Sequence, residues 1–128
     1  MAKKILIVED DLSLLKALHE VLANEGFSIL EAKNGEDGLA AANQEHPDLI
    51  LLDLVMPVMD GWTMLQKIRE GTEWGKHVPV IILTNLSSDE DQQMRYITKL
   101  EPSFFLVKSD WKVRDVVEKV LERLGDAK

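Results

Sequence analysis

The chain has 128 residues, 45% hydrophobic and only 5% aromatic, which fits one domain over residues 1–128 with an aliphatic core. With 23 acids against 15 bases, its formal net charge of −8 argues against direct binding to nucleic acid or to an anionic membrane surface. The absence of cysteine excludes disulfides, thiolate catalysis and zinc–cysteine sites.

At the start, Met1-Ala2-Lys3-Lys4 meets only four apolar residues before acids begin. That is too short for a signal peptide or a membrane span, so a cytoplasmic location is expected. Ile5-Leu6-Ile7-Val8 is a continuous apolar run ending in Glu9-Asp10-Asp11. Leu15, Leu18, Val21 and Leu22 then share one helical face, and Gly26 can end that helix. Residues 27–32 form a weaker apolar run. Asn34 can cap a helix passing through Gly38 to Asn43. Leu49-Ile50-Leu51-Leu52 is the next run, ending in Asp53. A helix is predicted over 61–70, with Leu65 and Ile68 inward. Val80-Ile81-Ile82-Leu83 ends in Thr84-Asn85, and Ser87 and Ser88 can open a polar helix near 89–99. Phe104-Phe105-Leu106-Val107 ends in Lys108. The last helix carries Val113, Val116, Val117, Val120, Leu121 and Leu124, with Gly125 as its C-cap and Ser109 or Asp110 as a candidate N-cap. Short runs that are apolar on both faces suit buried parallel strands. Alternation with helices predicts an α/β open parallel sheet covered on both faces.

In such sheets ligands bind at the carboxyl ends of the strands. The residues that end these runs are Glu9, Asp10 and Asp11, then Asp53, Thr84 and Lys108. A parallel sheet brings them to one edge. Clustered carboxylates repel, and a hard cation removes that repulsion. An all-oxygen set without His or Cys points to Mg²⁺. Lys108 offers a charge for a phosphoryl oxygen and Thr84 a hydroxyl. Asp53, alone at the end of an interior strand, is a nucleophile by position. The competing reading of any one such Asp is a helix cap or turn residue, and Asp11 is expected to cap the first helix.

The stretches ILIVEDD (5–11), LLDLVMPVMDG (51–61), ILT (82–84) and FLVK (105–108) resemble the response-regulator receiver family across essentially the whole chain. The resemblance implies a flavodoxin-like, doubly wound, five-stranded parallel sheet of order 2-1-3-4-5 with five helices. It implies that Asp53 accepts the phosphoryl group, with Thr84 and Lys108 completing the reacting set. It further implies Mg²⁺ held by Asp10, Asp53, the Val55 carbonyl and, through water, Glu9. Thr84 and Phe105 would be the switch residues, although Phe105 also reads as a plain core aromatic. The implied partners are a histidine kinase or histidine phosphotransfer protein upstream and a protein target downstream. The chain would be a monomer or weak dimer, and no enzyme beyond its own phosphorylation and dephosphorylation.

The chain departs from the family pattern in places. Ser109 follows Lys108 where the family has Pro, Asn85 follows Thr84 where a small residue is usual, and Pro102 stands in an altered turn. Val55 and Leu86 are apolar and cannot orient a water, so a long-lived phosphoryl group is expected. Against a dehalogenase-type phosphatase, the second position after Asp53 holds Val55, not an acid. No P-loop, dinucleotide fingerprint or hydrolase elbow is present. The remaining alternative is a phosphorylation-independent pseudo-receiver that acts as an interaction module.

Overall fold

The computed structural model describes residues 2–54, 56, 58–84, 100, 102, 104–107 and 112–127, with backbone alone at 84 and 104–107. The strands are β1 (Lys4–Val8), β2 (Ser28–Ala32), β3 (Leu49–Asp53), β4 (Val80–Thr84) and β5 (Phe104–Val107). The helices are α1 (Leu12–Asn24), α2 (Gly35–Glu45), α3 (Gly61–Gly71), α4 (Glu73–His77) and α5 (Val113–Leu124). All strand pairs are parallel, in the order β2-β1-β3-β4-β5. The sheet is the doubly wound one that the apolar runs imply. The helix expected near 89–99 lies outside the described residues.

Alternation along the strands divides the core. Leu6, Val8, Ile50, Leu52, Val80 and Ile82 pack with α2 and α3 on one face. Ile5, Ile7, Leu49, Leu51, Ile81 and Leu83 pack with α1 and α5 on the other. β3 is buried at all five positions. Each fully buried aliphatic side chain of this kind stabilises the fold by about 1.5–3 kcal/mol.

The helix ends follow local chemistry. Asp11 accepts from the amides of Ser13 and Leu14 at 3.0 and 3.3 Å and caps α1 as expected. Asn34 caps α2 through the Asp37 amide at 2.8 Å. Gly26 and Gly125 follow α1 and α5 with φ of 101° and 76°, where a side chain would be strained. The start of α5 corrects the sequence reading. Its N-cap position falls at Lys112, whose amide donates to Asp115 Oδ2 at 2.7 Å, and Ser109 and Asp110 lie outside the described residues. The Lys3 ammonium closes the other end of α5, donating to the carbonyls of Leu124 and Asp126 at 2.6 and 3.1 Å.

α4 was not expected. Thr72 caps it through the Gly75 amide at 3.0 Å, and Trp74 stacks on His46 with ring centroids 4.5 Å apart. Lys76, by hydrogen bond and charge, and then His77 hold the exposed Glu73 carboxyl below its ordinary pKa.

Candidate functional site

The strand register fixes the site. Val8 pairs with Leu52, so Glu9 follows β1 at the level of Asp53, the last residue of β3. Asp53 pairs with Leu83, so Thr84 stands one residue further along the same edge, level with Val107. Polar groups therefore collect at the carboxyl edge of the sheet because the apolar runs end there.

Glu9, Asp10 and Asp53 each present a carboxylate oxygen, and the three oxygens lie within 4.8 Å of one another. Glu9 is fully buried, Asp53 is 3% exposed and Asp10 faces solvent. The Glu9 amide donates to the Ala32 carbonyl at 3.0 Å, which extends the β1–β2 ladder and holds the acid in place. The Asp11 amide donates weakly to Glu9 Oε1 at 3.4 Å. Asp11 itself is occupied by its cap and is not among the three, in line with the expectation for it. Three like charges this close repel one another, and burial of two of them adds a desolvation cost. A divalent cation offsets both. The donors are hard oxygens with one open, solvent-facing side, which fits a small hard cation that keeps waters.

The loop from Asp53 to α3 is shaped by two residues. Gly61 donates to the Leu54 carbonyl at 2.9 Å, and a Cβ on it would strike the Asp53 carbonyl oxygen. Only glycine lets α3 start this close to Asp53. Asp60 fixes the same turn by accepting from the Thr63 amide at 2.8 Å and the Thr63 hydroxyl at 3.2 Å. Between them and Asp53, Val58 has φ of 71° and is 75% exposed. A β-branched residue in this region is a backbone outlier. The sequence reading missed it, because glycine or asparagine would have signalled it and valine does not.

Of the other expected site groups, the Thr84 and Phe105 side chains, the Val55 carbonyl and Lys108 lie outside the described residues, as do Asn85, Leu86, Ser109 and the Lys108–Ser109 bond. Trp62 is half-buried on α3 and packs on the core. The histidines are surface or helix-end residues: His19 meets Glu31 at 2.6 Å, His46 ends α2, and His77 lies near Glu73. No described helix is long and apolar enough to cross a membrane.

The family model described as "Response regulator receiver domain" matches residues 5–121. The "Probable transcriptional regulator ycf27" of Cyanophora paradoxa is 35% identical over 120 residues, which are 94% of this chain and 45% of that protein. The chain spans less than half the length of such curated relatives. Among solved structures, a "response regulator receiver domain protein (CheY-like)" from Methanospirillum hungatei is similar with a TM-score of 0.85 and 28% identity, covering 97% of this chain and 94% of that one. The receiver domain of sensor histidine kinase PA1611 from Pseudomonas aeruginosa has a TM-score of 0.80 and 26% identity, covering 96% and 97%, and is described "with magnesium ion coordinated in the active site cleft". Sequence match, fold and the acids at the sheet edge agree: this chain belongs to the response regulator receiver domain family.

Proposed function

We propose that this chain is the phosphoacceptor of a two-component phosphorelay, taking a phosphoryl group from a phosphohistidine onto Asp53. The observation that carries the reading is the meeting of Glu9, Asp10 and Asp53 within 4.8 Å at the carboxyl edge. A carboxylate oxygen of Asp53 attacks phosphorus, the phosphorus–nitrogen bond breaks and the imidazole leaves. Asp10 and Asp53, with Glu9 behind them and the Val55 carbonyl, would hold Mg²⁺. When bound, it neutralises charge on the acids and on the transferring group. The magnesium described in the cleft of the PA1611 receiver supports that choice of ion. Burial of Glu9 and Asp53 keeps bulk water from the nucleophile's inner side and fixes its direction.

Lys108, next in sequence after β5, would meet a phosphoryl oxygen. Thr84 would be drawn toward the new charge, with Phe105 following it. That charge biases an equilibrium between two packings, and a downstream protein reads the result. The chain would catalyse only its own phosphorylation and dephosphorylation, in the cytoplasm.

Incubation with acetyl phosphate and Mg²⁺ tests the reading. Intact mass should rise by one phosphoryl group, and Asp53→Ala should abolish the gain while remaining folded. No gain in the parent protein would leave the phosphorylation-independent interaction module as the better account.

A further inference from the structure

The connection from β3 to α3 carries apolar surface that the chemistry at Asp53 does not use. Val58 is 75% exposed, the most open of the large apolar side chains among the described residues. Met59 and Trp62 beside it are half-buried and pack on the core. Gly35, the first residue of α2, lies so close to Met59 that a Cβ on it would strike the Met59 carbonyl oxygen. The patch therefore sits where α2 and α3 both begin. Valine destabilises the free protein here in two ways, by its φ of 71° and by its exposed apolar surface. Glycine or asparagine would suit the same angle without either. An apolar side chain held outward in this conformation is stabilised only when something covers it.

The surrounding charges say what covers it. Glu36 and Asp37 follow Gly35, Asp60 follows Met59, and all three are exposed. Lys33 is the one base in the two stretches concerned, 33–37 and 58–63. Acids at this density, in a chain of net charge −8, repel the phosphates of nucleic acid and of an anionic membrane. They repel a second copy of the same patch for the same reason. They attract lysine and arginine. The surface thus fits a protein segment that lays an apolar side chain over Val58, Met59 and Trp62 and sets bases against Glu36, Asp37 and Asp60.

We propose that the patch of Val58, Met59 and Trp62 is a docking surface for a basic segment of another protein, anchored by an apolar side chain. It lies beside the acidic cleft but uses none of Glu9, Asp10 and Asp53, so the proposal does not depend on phosphorylation.

The test follows the amide resonances of the isotope-labelled full chain by NMR during titration with a short amphipathic peptide of leucine and lysine. A second peptide has the same pattern with glutamate in place of lysine. The lysine peptide should shift the amides of Val58, Met59 and Trp62 together with those of Glu36 and Asp37, and the glutamate peptide should not. Val58→Asn accepts the positive φ and removes the apolar branch. It should weaken binding about tenfold, the effect of leaving one such side chain uncovered. Glu36→Lys should also weaken binding and flatten its dependence on salt. Circular dichroism checks that both exposed substitutions leave the fold intact. Shifts centred on Asp10 and Asp53 or on another face, or no shifts at all, would overturn the proposal. So would equal binding of the glutamate peptide, or a Val58→Asn protein that binds like the parent.

Discussion

Val58 shows how a single backbone angle can oppose the stability of a fold. Its φ of 71° places a β-branched side chain where the carbonyl and Cβ crowd, and its exposure means that packing returns almost nothing. Such residues cost about 1–3 kcal/mol and persist where the surroundings dictate the backbone. Here the surroundings are Gly61 against Asp53 and the Asp60 cap, which fix both ends of the loop. Replacing Val58 with Gly should therefore stabilise the protein by about 1 kcal/mol, the relief of strain exceeding the entropy gained by the unfolded chain. Urea denaturation would show a higher midpoint at unchanged slope. A lower midpoint would mean that the valine side chain is packed in a way its exposure does not suggest.

At the scale of elements, α3 joins the Asp53 end of the sheet to the opposite end. It starts against Asp53 and runs to Arg69, whose guanidinium donates to the carbonyls of Leu100, Gly75 and Val78 at 2.8, 3.0 and 2.7 Å. One side chain thereby ties α3 to α4, to the segment before β4 and to the segment that leads into β5. Arg69→Met keeps the aliphatic stem but leaves those carbonyls without their charged donor. The expected loss is about 2–3 kcal/mol, and Arg69→Lys should recover only part of it because a point charge cannot span three acceptors. A loss under a few tenths of a kcal/mol in denaturant melts would show that water replaces the guanidinium freely. The same neighbourhood explains why α4 was not legible in the sequence. Five residues with Gly75 among them have little intrinsic helicity, and Gly75 is there because a Cβ would strike the Ile68 carbonyl. Tertiary contact with α3 and the stacking of Trp74 on His46 make the helix, and neither is visible in a window of sequence. The cap of α5 is different: Asp115, three residues after Lys112, was a readable signal, outweighed by the more familiar Ser109 and Asp110.

For the molecule as a whole, the sheet was legible because buried parallel strands are written as short, doubly apolar runs, and each run keeps its boundaries to within a residue. The acidic site was legible for the same reason: the runs stop where the ligand edge begins. The cap made by Asp11 was legible too; what sequence could not supply was the difference in burial between the adjacent Glu9 and Asp10. Glu9 is fully buried, Asp10 is exposed to solvent although Leu6 and Val8 before it are buried, and Asp11 is spent on a cap. That division predicts how global stability responds to a cation. Without one, Asp10 adds a third negative charge within 4.8 Å of two others, so Asp10→Asn should raise the thermal midpoint measured in chelator. With magnesium at a hundredfold excess over its dissociation constant, the parent protein should gain about 2.7 kcal/mol by linkage. Asp10→Asn, having lost an oxygen charge from the site, should gain much less. The order of the two midpoints should therefore reverse between chelator and magnesium. Parallel shifts in both proteins would mean that the cation binds elsewhere, and no shift in either would remove the metal from the account of this site.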